Sequence, residues 1–153
     1  MNIQEVQAIV NPLLGQKAWG VSLGFGSFLT LEFGQPLPSS GENQKIHGEW
    51  HLWLYNCAWR LEQKDRILGG SGDERDQLET VIERLNNLTL QSVELLPPAG
   101  DAVFTFEHQV VLRLFAIYSQ DYAHWFLYAP DGNVLSVGPG NSWSYESSKA
   151  IPA

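Results

Sequence analysis

The chain has 153 residues, of which 44% are hydrophobic and 17% charged, with 6 Trp, 7 Phe and 5 Tyr. That composition excludes a disordered polypeptide and suits a single globular domain, which at this length buries about 68–70% of the surface it exposes when unfolded. A formal charge of −8 at pH 7 excludes the broad basic footprint of nucleic-acid binders and disfavours anionic membranes.

Ile3, Val6, Ile9, Val10, Leu13 and Leu14 recur at helical spacing, and Gly15 follows as a terminator, so a first helix is expected over Ile3–Leu14, with Pro12 fraying its last turn. From Trp19 the period becomes two. Trp19 to Leu23 and Phe28 to Phe33 read as antiparallel strands joined through Gly24-Phe25-Gly26-Ser27, with Leu29, Leu31 and Phe33 on one face and Phe28, Thr30 and Glu32 on the other. Gly34 to His47, rich in Pro, Ser and Gly, reads as a long loop.

Gly48 to Glu62 reads as one long strand, or two broken near Asn56-Cys57, with Trp50, Leu52 and Leu54 alternating with His51, Trp53 and Tyr55. Large side chains on both faces mark a central strand, or one covered by a partner subunit. Gly69 to Gly72 reads as a flexible connector into a second helix over Asp73–Leu88, begun by a capping-box pattern between Ser71 and Glu74.

The remainder is strand-like over Leu90–Leu95, Ala102–Glu107, Gln109–Ile117, Ala123–Tyr128 and Asn133–Val137, with Asp131-Gly132 as a hairpin signal. Residues 1–143 are expected to form one α+β domain, mainly antiparallel sheet with two helices, and 144–153 a loose tail. Phe28-Leu29-Thr30-Leu31-Glu32 echoes Val103-Phe104-Thr105-Phe106-Glu107, and His51 to Tyr55 echoes His124 to Tyr128, which would suit two pseudo-symmetric halves.

The familiar catalytic signatures fail on spacing or context. Gly69-Gly70-Ser71-Gly72 lacks a following Lys and is succeeded by Asp73, Glu74 and Asp76, which would repel a phosphate. His47-Gly48-Glu49-Trp50-His51 is not a zinc-protease pattern, and on a strand the two histidines would stand about 13 Å apart; no metal or cofactor is expected. Cys57 with His51, His108 or His124 as base is a weaker reading than a small core cysteine. No G-x-S-x-G occurs. The single cysteine rules out an internal disulfide, no run approaches the roughly 20 apolar residues of a membrane helix, and the first 14 residues lack the pattern of a signal peptide, so a cytoplasmic location is expected.

Aromatic and polar side chains remain as the binding candidates: Trp53, Tyr55, Trp59, Arg60, His124 and Trp125, residue types that supply large contact area at low entropy cost, with Arg60 placed to stack beside Trp59. Cys57-Ala58-Trp59-Arg60-Leu61-Glu62, Ser71-Gly72-Asp73, Phe104 to His108, Leu112 to Phe115 and Trp125 together give a pattern that resembles small bacterial α+β proteins, some of them immunity proteins of polymorphic toxin systems. Those relatives carry a glycine after the second helix where this chain has Asn86-Asn87; asparagine also adopts the left-handed conformation. The resemblance implies a non-catalytic domain that binds a protein partner. Two functional expectations follow, a protein-interaction domain, with homodimerisation through the two-sided strands as an assembly option, and alternatively a small-molecule site or enzyme pocket between sheet and helix.

Overall fold

The computed structural model describes residues 1–38 and 46–150. Two antiparallel sheets and two short helices make up an α+β fold. The helix α1 (Ile3–Val10) opens the chain, with Asn2 as N-cap accepting from the Glu5 amide. Its expected last turn tightens into a 3-10 turn over Asn11–Leu13, because Pro12 has no N–H to continue the α-helical ladder. Val6, Val10 and Leu13 carry its buried stripe.

Strands β1 (Trp19–Leu23), β2 (Leu29–Pro36) and β3 (Gly48–Leu54) form a meander. The chain then leaves for a second sheet made of β4 (Cys57–Gln63), β5 (Arg66–Gly70), β6 (Leu90–Leu96), β7 (Asp101–Phe106) and β8 (Val110–Ala116). It returns to the first through β9 (Trp125–Tyr128), β10 (Asn133–Val137) and β11 (Trp143–Ser147). The strand orders are β1-β2-β3-β9-β10-β11 and β5-β4-β8-β7-β6. The break near Asn56-Cys57 is therefore where the chain changes sheets. Buried residues of both sheets and of α1 join one hydrophobic cluster, in which Phe104 of β7 meets Trp125 of β9 edge-on at 6.3 Å.

Several expectations change. The glycines at 69 and 70 are not a connector: they end β5, which pairs with β4 through a turn at Lys64 and Asp65, both at positive φ. The helix α2 (Arg75–Val81) is shorter than Asp73–Leu88 and gives way to a 3-10 turn over Ile82–Leu85. No capping box forms, since the Ser71 hydroxyl accepts from the Trp59 amide and the N-cap Glu74 makes no side-chain bond. Asn87 does take the left-handed conformation, at φ 69°. The expected tail supplies β11, whose Trp143 and Tyr145 alternate with Ser144 and Glu146 against β10; residues 151–153 lie outside the described residues. Gly34 to Pro36, expected as loop, extend β2, and 39–45 also lie outside the described residues. Of the internal echo, β3 and β9 are direct neighbours, while β2 and β7 lie in different sheets. No helix among the described residues is long and apolar enough to cross a membrane.

One irregularity positions everything that follows. The β2–β3 register shifts between Phe33 and Pro36, where Gly34 sits at φ +79° and Gly48 faces the Phe33 backbone. A Cβ on Gly48 would lie 2.5 Å from the Phe33 carbonyl oxygen and 3.0 Å from the Trp19 ring. Gly48→Ala is therefore expected to cost about 1–3 kcal/mol in urea unfolding by forcing the strands apart; an unchanged unfolding midpoint would show that the bulge tolerates a side chain.

Candidate functional site

Strict alternation gives the six-stranded sheet two unlike faces. Leu31 opposite Leu52, and Leu52 opposite Leu127, turn into the core. On the other face Thr30 pairs with Trp53, Trp53 with Phe126, Glu32 with His51, and His51 with Tyr128. The rings form a continuous layer: Phe28 to Tyr55 and Trp53 to Tyr55 are both 4.8 Å between centroids, and Trp53 to Phe126 is 5.3 Å.

Within this layer lies a carboxylate. Glu32 is 3% exposed, yet it remains fully provided with donors. Its Oε1 accepts from the Gly48 amide at 2.9 Å, its carboxylate lies 2.8–2.9 Å from His51 Nδ1, and His47 Nδ1 approaches Oε2 at 3.4 Å. The two imidazole rings are 4.4 Å apart. Burial pushes the Glu32 carboxyl up, but the His51 hydrogen bond, the charges of His51 and His47 and the Gly48 amide together outweigh it, leaving the carboxyl below its ordinary value. Glu32, His47 and His51 thus offer three metal-ligating atoms within 4.8 Å of one another.

This corrects the expected 13 Å separation of the histidines. His47 precedes β3 instead of lying on it, and the bulge turns its side chain toward the same carboxylate that His51 meets across the ladder. The carboxylate is not Glu49, whose Oε1 accepts from the Gln35 amide at 2.7 Å.

Both histidines open onto a groove of about 540 Å³ lined by Ser22, Gly24, Phe25, Phe28, Thr30, Trp53 and Tyr55 as well. Phe25, 88% exposed, stands at its rim. Of the six candidate residues, Trp53 and Tyr55 belong here. The others do not. Trp59 and Arg60 project from opposite faces of β4, so they cannot stack: Trp59 is 3% exposed and its indole donates to the Ser27 carbonyl at 2.8 Å, while Arg60 donates to Glu62 on the outside. Trp125, 1% exposed, donates to the Gly100 carbonyl. His124 is equally buried beneath Gly138, with Nε2 at 3.2 Å from the Gly140 carbonyl and Nδ1 without a partner among the described residues. Trp59 and Trp125 are core residues because β4 and β9 turn them inward, whereas His124, just before β9, is covered by the Gly138 backbone.

A second groove, of about 580 Å³, lies on the outer face of the other sheet, lined by Arg60, Asp73, Asp101, Arg113 and Phe115 among others. Arg60 and Arg113 both donate to the same Glu62 carboxylate, and no imidazole lines it. The space between sheet and helix that the sequence suggested also exists, between Ile9, Pro12, Trp50 and Tyr145, but without a histidine. Cys57 is buried, and burial with the nearby Asp101 charge pushes its thiol up to about 12, against only a weak opposing bond from the Tyr55 backbone, so it holds no thiolate at neutral pH. The histidine groove is the best-equipped site. Comparison with protein-family models, curated proteins and solved structures finds no match to this chain.

Glu32 was missed as a site residue, although its signal was present: it alternates with buried Leu31 and Phe33, and pairing β2 with β3 places it opposite His51. Because its folded pKa is depressed from 4.5, its stabilisation is complete above that value and is lost as pH falls through the folded one. Glu32→Gln is expected to cost roughly 1.5–3 kcal/mol at pH 7, and the gap from wild type to narrow progressively below pH 4.5. Denaturant unfolding of both proteins at pH 7 and pH 3 tests this, and a gap that widens in acid would contradict it.

Proposed function

We propose that the chain is a small-molecule-binding domain whose site is the outer groove of the six-stranded sheet. The observation that carries this reading is an aromatic floor ending at a buried carboxylate that gathers two imidazoles. Sites for small molecules are commonly lined by apolar and aromatic side chains, with a few convergent polar groups, in a volume of roughly 300–1,000 Å³, and a groove of about 540 Å³ falls in that range. Of the two expectations drawn from sequence, a protein-interaction face and a small-molecule pocket, these features support the second. Its location is the outer sheet face, not the space under α1.

The ligand chemistry follows from what lines the groove. Among the described residues no Lys or Arg lines the groove, and the buried Glu32 is not a lining residue either, so the described lining offers no fixed counter-charge to an organic anion or an organic cation. A flat, uncharged aromatic molecule suits the floor, stacking on Trp53 and Tyr55 with a heteroatom turned toward His51 and His47. The imidazoles can donate to or accept from that heteroatom.

Quinoline as a planar, neutral probe and 2-naphthoate as its anionic counterpart test the reading by calorimetric titration. Saturable quinoline binding is expected, weakened about three- to tenfold by Trp53→Ala, as befits about 0.5–1.5 kcal/mol for an aromatic contact, and unaffected by Phe115→Ala on the other sheet. Equal binding of naphthoate, or indifference to Trp53→Ala, would overturn it.

A further inference from the structure

We propose that Glu32, His47 and His51 form a binding site for one divalent transition-metal ion of the zinc class, with an open coordination position facing the groove. Two imidazole nitrogens and a carboxylate oxygen are a donor set of borderline softness, which suits zinc, cobalt and nickel; calcium and magnesium prefer oxygen donors throughout.

The three donors converge for separate reasons, so their meeting is not the accident of one flexible loop. Glu32 and His51 are directly opposed on β2 and β3, and His47 is carried in by the segment that enters β3 at Gly48. Gly48 itself donates to Glu32 Oε1, which fixes the carboxylate and leaves Oε2 between the two Nδ1 atoms, at 2.8 Å from His51 and 3.4 Å from His47. Ligands around a tetrahedral zinc at about 2.0–2.1 Å stand about 3.3 Å from one another. His47 is already at that separation from Oε2, and His51 needs a retreat of about half an ångström.

Burial strengthens the argument. The Glu32 side chain is 4% exposed, and among the described residues its ion-pair partners are these two histidines. A buried carboxylate toward which both imidazoles turn their Nδ1 atoms is a site with charge to offer a metal, which a bound dication would neutralise. His47 is half-exposed, and both rings line the groove, so three protein ligands leave a fourth position accessible from solvent. Three ligands with an open position distinguish reactive zinc sites from structural ones, which are closed by four. Held there, the ion would act as Lewis acid toward a water or toward the heteroatom of a groove ligand.

The site's existence does not depend on what the aromatic floor accepts, and the experiment contains no organic ligand. The full chain, without an oligohistidine tag and stripped with chelator, is titrated with Zn²⁺ by calorimetry and with Co²⁺ by visible absorption. The expected result is one ion per chain, a cobalt spectrum of low-coordinate character, and no heat with Mg²⁺ or Ca²⁺. Loss of even an outer-shell partner costs about 10–100-fold in affinity, so His51→Ala and Glu32→Gln should each weaken binding by about hundredfold. His47→Ala, at a half-exposed residue outside the strand, keeps the fold intact and should weaken binding at least about tenfold. Absence of saturable binding, or binding that His47→Ala and His51→Ala leave unchanged, would overturn the proposal. Failure here with quinoline binding intact would remove the metal and leave the groove.

Discussion

A carboxylate taken out of water must find donors in the protein or give up its charge. Glu32 finds them in the Gly48 amide and the His51 and His47 imidazoles, and in doing so it ties together β2, β3 and the segment that enters β3. The remaining geometry of the site depends on that bond set. Without it, the His47 and His51 rings lose the acceptor they share at the polar end of the groove. The bulge at Gly34 and the missing side chain at Gly48 are the backbone conditions that bring the donors within reach.

The sheet supplies the second half of the arrangement by simple alternation. Leucines at 29, 31, 52, 54 and 127 fill the core, and the same strands then necessarily present Thr30, Trp53, Phe126 and Tyr128 on the opposite side. The second sheet leaves the Trp59 and Phe104 rings in the shared core and turns Arg60 and Arg113 outward onto Glu62. Arg75 of α2 further braces the β1–β2 hairpin at the groove's rim by donating to the carbonyls of Gly24 and Gly26.

Much of the fold was legible in the sequence because its signals are local. Leu29, Leu31 and Phe33 announce the buried face of β2, and Gly24 to Ser27 and Asp131-Gly132 mark the hairpins they form. β5 escaped notice because an edge strand ending in two glycines shows no alternation, and its turn is made by Lys64 and Asp65 instead of Asn-Gly. β11 was hidden in a polar stretch in which only Trp143 and Tyr145 carry the period. The site was less legible because it rests on pairing between strands: Glu32 meets His51 only in one register, and that register is set by a bulge. Trp59, His124 and Trp125 stand among the binding candidates of the sequence for the same reason, since which face of a strand is closed depends on what folds over it. The phase of Trp59 with Cys57 and Leu61 did carry that information.

The central claim is that Glu32 holds His51 by its Nδ1 atom. Long-range proton–nitrogen correlation NMR of the histidine rings in the metal-free chain at pH 7 measures this directly. A proton resident on His51 Nδ1, lost or redistributed between the ring nitrogens in Glu32→Gln, is the predicted result. A His51 ring that exchanges between tautomers like free imidazole in the wild-type chain would contradict the account.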